Sequence, residues 1–302
     1  MKAINTLPLG TLLAWKLMGA ALLASGAETN ALPFYICHAD PRPGWPGSSE
    51  AIAKMVKGLG YDGMGALWLS SVPEALKAWD SAALKLSQIY IDVDLRPNER
   101  QEFGGAYYDP RLKSILPLLK GRDAQLVLMF GGLKPSKPAT DRLAVHVVRE
   151  IADLAQGVGV KVLLANIDSF PPQISLDDVR VLAEKVDRPN VGVMFSLFEW
   201  LVITPDRNYE PLLRRAMPKL MAVGISGADE IGDTSQAYLQ PLGEGTFEMA
   251  GFLRTLRRLG YHGPIVLESQ NIQGDRLEVF GKSIHAWQKY SRVLEETMPI
   301  DK

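Results

Sequence analysis

Residues Gln240–Asp275 read QPLGEGTFEMAGFLRTLRRLGYHGPIVLESQNIQGD, and the fold turns on this stretch. It divides into a polar loop over Gln240–Gly245, a helix predicted over Phe247–Leu259, a stop at Gly260, and a strand over Pro264–Leu267 that ends on an acid, Glu268. Phe247, Met249, Phe252, Leu253, Leu256 and Leu259 recur at spacings of three and four and share one helical stripe, while Arg254, Arg257 and Arg258 face water or the negative end of the helix dipole. A helix that runs straight into an apolar strand is one α/β unit.

The same punctuation occurs two hundred residues earlier. Leu59-Gly60-Tyr61-Asp62-Gly63 closes a predicted helix over Ser48–Leu59 as Leu259-Gly260-Tyr261-His262-Gly263 closes the later one. Gly60 and Gly260 suit the left-handed residue that ends a helix, and the tyrosine after each can pack back over the last turn. Between and around the pair, apolar runs predict eight strands: Pro33–Cys37, Gly63–Leu67, Gln88–Val93, Gln125–Met129, Lys161–Leu164, Val191–Phe195, Leu220–Ile225 and Pro264–Leu267. Helical patterns alternate with them at Ser48–Leu59, Pro73–Leu84, Pro110–Leu119, Thr140–Ala155, Ser175–Val186, Tyr209–Ala216, Phe247–Leu259 and Leu277–Glu296. Eight alternations predict a single-domain α/β fold, a (β/α)8 TIM barrel. A doubly wound open sheet is the other arrangement such alternation allows, but no Gly-rich phosphate fingerprint follows the first strand.

Residues 1–27 differ from the rest: Lys2, a Leu/Ala/Met-rich run to Leu23, then the small residues Ala24-Ser25-Gly26-Ala27. This pattern predicts a secretory signal peptide, a secreted or periplasmic protein, and a barrel domain over residues 28–302. The formal charge is −1 and would fall to −3 on cleavage, because Lys2 and Lys16 leave with the signal. Such a balance argues against a nucleic-acid or anionic-membrane partner, which selects a basic excess. Cys37 is the single cysteine, so an intrachain disulfide and a cysteine-rich metal site are both excluded.

A barrel of this kind carries its site at the C-terminal ends of the strands. The residues there are His38 and Asp40, Trp68, Asp92 and Asp94, Lys134, Asn166 and Asp168, Ser196 and Glu199, Ser226 and Asp229, and Glu268. Carboxylates gathered at one mouth must be neutralised by protons, a cationic partner or a metal. Trp68 can stack on a sugar face, whereas the bland role of a large aromatic is packing. His38 sits in a proline-rich loop able to fold over the mouth. For Glu268 the bland role is a salt bridge to one of the chain's cations, and for Glu199 and Asp168 a bridge at the barrel rim.

Four stretches resemble the sugar phosphate isomerase/epimerase group, the xylose isomerase-like barrels that include the ketose epimerases and endonuclease IV. Pro241–Glu268 is similar to that group's last α/β unit, Gly58–Gly65 to its first helix and second strand, Val186–Trp200 to its sixth strand, and Val223–Asp229 to its seventh. The resemblance implies a sugar or keto-sugar isomerase or epimerase, with a small-molecule sugar as partner. It also implies a divalent ion, Mn, Mg or Zn, held by two Glu, one Asp and one His, the two Glu also handling the substrate proton. Glu268 matches the last of those Glu positions. Asp168 reaches the fifth-strand position only by a shift of register, Glu199 stands where near relatives have histidine, and Ser226 stands at the seventh-strand ligand. The expected assignment is therefore Glu268 and Glu199 as catalytic, Asp168, Glu199 and Glu268 toward a metal, and His38, Trp68, Lys134, Asn166, Ser226 and Gln240 toward the sugar. A keto-sugar lyase uses the same equipment, and a non-catalytic sugar-binding barrel that has lost its metal is the competing class.

Overall fold

Eight parallel strands pair in chain order and close into a barrel: β1 (Phe34–Ile36), β2 (Gly63–Ala66), β3 (Lys85–Asp94), β4 (Gln125–Gly131), β5 (Lys161–Asp168), β6 (Val191–Ser196), β7 (Leu220–Ile225) and β8 (Ile265–Leu267). The closing seam joins β8 to β1 through Phe34↔Ile265, Tyr35↔Val266 and Ile36↔Leu267. The computed structural model describes residues 32–38, 44–96, 104–134, 138–168, 174–232 and 235–296, so the expected signal peptide over 1–27 and Asp40 lie outside the described residues.

The helices follow the predicted alternation: α1 (Ser49–Leu59), α2 (Val72–Ser81), α3 (Leu112–Ile115), α4 (Pro138–Gln156), α5 (Leu176–Val186), α6 (Leu197–Ile203), α7 (Glu210–Ala216), α8 (Ser235–Tyr238), α9 (Met249–Arg258) and α10 (Arg276–Glu296). The paired Leu-Gly-Tyr stops behave as the sequence predicts. Gly60 and Gly260 adopt φ of 97° and 88°. The next N–H in each case reaches back, Tyr61 to Val56 O at 3.4 Å and Tyr261 to Leu256 O at 3.0 Å, which satisfies carbonyls that the helix end leaves open. Both tyrosines are buried.

Several elements differ from the prediction. The helix expected over Pro110–Leu119 is one α turn followed by a 3-10 turn, Leu116–Leu119, because Pro117 supplies no N–H to continue the α ladder. The third strand starts earlier and runs later than its apolar core. A short helix, α6, follows β6 without a loop: Ser196 breaks the apolar run by capping it, its Oγ accepting the Glu199 N–H at 3.3 Å.

Two apolar layers hold the barrel. The larger lies between the strands and the outer helices, and the smaller fills the barrel with Cys37, Tyr90, Val127, Leu163, Ala165, Met194, Ala222 and Val266. Buried amides cross this inner layer. Tyr90 donates from its hydroxyl to Gln88 Oε1 at 2.8 Å, and Gln88 Nε2 donates to Gln125 Oε1 at 3.1 Å. Their polar groups thus satisfy one another where water is excluded. Among the described residues no helix is long and apolar enough to cross a membrane.

Candidate active site

Inward-facing residues alternate along each strand, and Glu268 lies two residues beyond Val266 of the inner layer. Its N–H donates to Ile225 O of β7 at 2.8 Å, which carries the ladder one residue past β8 and aims the side chain into the mouth. Glu268 is 1% exposed. Its carboxyl lies over Gly224, where an added Cβ would come within 2.6 Å of Glu268 Cδ and Oε1; a residue without a side chain is what leaves the space. The Phe198 N–H faces Glu268 Oε2 at 3.5 Å, and among the described residues Oε1 has no hydrogen-bond partner. Burial pushes the carboxyl up to about 7, against which the Ser196 hydroxyl and the Phe198 N–H pull it down.

The neighbouring strand ends are buried and neutral. Asn166 of β5 accepts the Ser196 N–H on Oδ1 at 3.0 Å. Ser196 caps α6, and Ser226, just past β7, donates its hydroxyl to Tyr238 O at 3.1 Å. On the other side of the seam His38 is 8% exposed, its ring edge-on to Tyr90 with centroids 5.0 Å apart. The Cys37 thiol is held by Ser269 N–H at 3.4 Å and reaches Gln270 Oε1 at 3.4 Å. Burial raises this thiol, and the Glu268 carboxylate adds to the effect, so Cys37 is a packed neutral group rather than a nucleophile. Burial, then Cys37 and Glu268, raise Tyr90 well above the usual phenol value.

The remaining expected residues scatter. Glu199 is buried in the first turn of α6, three residues past the end of β6. Trp68 follows β2, is 48% exposed, and lines a cavity of about 240 Å³ with Tyr90 and Asp92. Lys134 is exposed beyond β4. The Gln240 amide is tied to Asp229 Oδ2 at 2.9 Å and Ala237 O at 3.1 Å, and Asp229 Oδ1 accepts the Thr246 N–H at 3.1 Å. Gln240 and Asp229 therefore brace the loop after β7. Asp94 is clipped to Arg96, with Nε and Oδ1 2.9 Å apart. Asp168 closes β5, but its side chain lies outside the described residues.

The residues fit a resident divalent ion poorly. Among the described residues no group of three or more His, Cys, Asp or Glu stands together to hold one. Around Glu268 the strand ends supply Asn166, Ser196 and Ser226, each with an oxygen already engaged by backbone. Among the described residues, a carboxylate set among engaged neutral oxygens, with no cluster of three such ligands, is not the donor set that Mg, Mn or Zn selects. What remains is a buried carboxyl balanced near neutrality, able to give up or take a proton at ordinary pH.

Sequence reasoning passes over Tyr90, Gly224 and the pair Asp109 and Arg111. Tyr90 is two residues before Asp92 and shares its inward face, a signal that strand period alone carries. For Asp109 and Arg111, set in an irregular segment, the sequence holds no comparable signal.

The folds and sequences of known proteins agree with this geometry. A 140-residue stretch is 29% identical to a ketose 3-epimerase of Arthrobacter globiformis, covering 46% of this chain and 42% of that enzyme, so the match spans less than half the relative's length. The structure of 3-keto-D-glucoside 4-epimerase from E. coli superposes with a TM-score of 0.65 at 16% identity, covering 84% of this chain and 98% of that one. D-psicose 3-epimerase from Clostridium cellulolyticum, solved with D-tagatose, gives 0.66 at 16% identity over 87% and 99% of the two chains. Residues 111–290 match the family described as xylose isomerase-like TIM barrel. With the closed eight-stranded barrel and a matched segment of more than half its length, the chain belongs to the xylose isomerase-like TIM barrel family.

Proposed function

We propose that this protein is a sugar or keto-sugar isomerase or epimerase in which Glu268 moves the proton on the carbon next to a carbonyl. The observation that carries the reading is the Glu268 carboxyl: 1% exposed, unpartnered at Oε1 among the described residues, and with its pKa raised to about 7. A carboxylate so placed takes the C–H proton while the electron pair moves to the carbonyl oxygen, giving an enediol or enediolate. Return of a proton to the opposite face gives an epimer, and return to the neighbouring carbon gives an isomer. Glu199, buried in the first turn of α6, is the second acid in this scheme. The relatives support it by what they are named for, a ketose 3-epimerase and a 3-keto-D-glucoside 4-epimerase. No step is routed through a metal, because the described donors do not suit one.

The second reading is a sugar-binding barrel without turnover. It is favoured by the neutral side chains of Asn166, Ser196 and Ser226, which stand at the strand ends beside Glu268. Incubation with D-fructose, D-psicose and D-tagatose in heavy water separates the two. Deuterium entering the substrate next to its carbonyl, and failing to enter with Glu268→Gln, is the enzyme's result. Loss of water or of an alcohol from the substrate without epimer would instead mark a lyase. Binding of a sugar with no exchange into any of the three or into a keto-disaccharide would establish the binding protein.

A further inference from the structure

We propose that the cavity on the β2–β3 side of the mouth is a subsite for a second sugar ring, which makes the substrate a glycoside rather than a free monosaccharide. This rests on the keto-sugar reading above and adds the substrate class to it.

Trp68 is among the few large apolar side chains left exposed on a protein whose other aromatics are largely packed away. Its backbone is pinned: the carbonyl accepts the Ser71 N–H at 3.0 Å and the Ser71 hydroxyl at 2.7 Å, in the 3-10 turn Leu69–Ser71 that follows β2. An exposed indole on a fixed stretch of backbone beside a cavity is an apolar surface that the C–H face of a pyranose can cover.

The polar part of the cavity is assembled by a different device. Asp94 N–H donates to Tyr107 O at 2.9 Å, and Val93 forms an isolated bridge with Tyr108. The segment carrying Asp109 is thereby laid along the end of β3, where Asp92 also lines the cavity. Asp109 accepts the Arg111 N–H at 2.9 Å and pairs with its guanidinium at 2.5 Å. Carboxylate oxygens and guanidinium N–H groups side by side offer acceptor and donor to neighbouring hydroxyls of one ring. Among the described lining residues, two carboxylates stand against one guanidinium that is already paired, which disfavours a phosphate and suits neutral hydroxyls.

Size and position agree. At about 240 Å³ the cavity falls below the roughly 300–1,000 Å³ of drug-sized sites, which suits one ring. Its lining includes Tyr90, whose ring meets His38 edge-on, and His38 follows Cys37, whose thiol accepts the N–H of Ser269 next to Glu268. The cavity and the Glu268 side of the mouth are thereby joined through one chain of contacts.

Calorimetric titration of the full chain with D-glucose, maltose, cellobiose and trehalose tests this, in the wild type, Trp68→Ala and Trp68→Phe. The expected result is at least one disaccharide binding tenfold or more tighter than glucose, a preference that collapses in Trp68→Ala and partly returns in Trp68→Phe. Equal affinity for glucose and all three disaccharides, absence of disaccharide binding, or a preference untouched by Trp68→Ala would overturn the subsite. Those outcomes leave the keto-sugar reading standing if deuterium exchange into a ketohexose depends on Glu268. A Trp68-dependent disaccharide preference without deuterium exchange into either a ketohexose or a keto-disaccharide would keep the subsite and remove the isomerase.

Discussion

Replacing Glu268 by glutamine should make the protein more stable in mildly alkaline solution, by an amount the structure sets. The carboxyl titrates at 4.5 in an open chain and at about 7 in its buried place. The folded state therefore binds this proton more tightly than the unfolded state. Stability is full below pH 4.5, declines as pH rises from there through 7, and is then reduced by the whole difference. At 1.36 kcal/mol per pH unit, the shift from 4.5 to about 7 corresponds to about 3 kcal/mol. Glutamine keeps the shape, can accept the Phe198 N–H, and never ionises. Guanidinium unfolding of wild type and Glu268→Gln at pH 4.5 and 8.5 should show near-equal midpoints in acid and a variant more stable by about 3 kcal/mol in base. A difference that does not change between the two pH values refutes the burial argument. A variant less stable than wild type at pH 8.5 refutes it more sharply, because it means the ionised carboxylate is paired with a cation.

Three further outcomes are expected. Gly224→Ala places a methyl within 2.6 Å of the Glu268 carboxyl and should destabilise the fold by about 1–3 kcal/mol in thermal melts while abolishing deuterium exchange into the ketose; an unchanged melt and rate would show that the carboxyl does not rest there. Metal analysis of protein purified without chelator should find well under one Mg, Mn or Zn per chain, and stoichiometric metal would reverse the reading of the donor set. Protein recovered from the native host should begin near Glu28; a chain beginning at Met1 in the cytoplasm would end the export proposal.

The eight alternations are legible in the sequence because strand and helix differ in period, and because Gly60 and Gly260 mark where two helices stop. Glu268 is legible for a related reason: an acid directly after a buried apolar strand must face the mouth or find a partner. That Glu199 sits in a helical turn is not legible, since the run from Val191 to Ile203 is nearly all apolar and hides the point where β6 becomes α6. Gln240 is expected toward the sugar, and its amide Nε2 donates to Asp229 Oδ2 and Ala237 O, contacts that sequence pattern does not reveal. The space over Gly224 is invisible to any rule about strands, because it depends on which neighbour sits across the β7–β8 pair.

The seam between β1 and β8 bears on when this protein can become active. Cys37 donates its N–H to Leu267 O at 3.0 Å, and Glu268 reaches its position only when β8 has docked between β7 and β1. These partners are among the most distant in the sequence, and contacts of such separation form late because a long loop must close first. A ribosome that has released the chain only as far as β7 has made most of the barrel wall and none of Glu268. A nascent or truncated chain therefore lacks the proposed proton-transfer group altogether, and on that proposal its competence begins only at the moment the last strand finds the first.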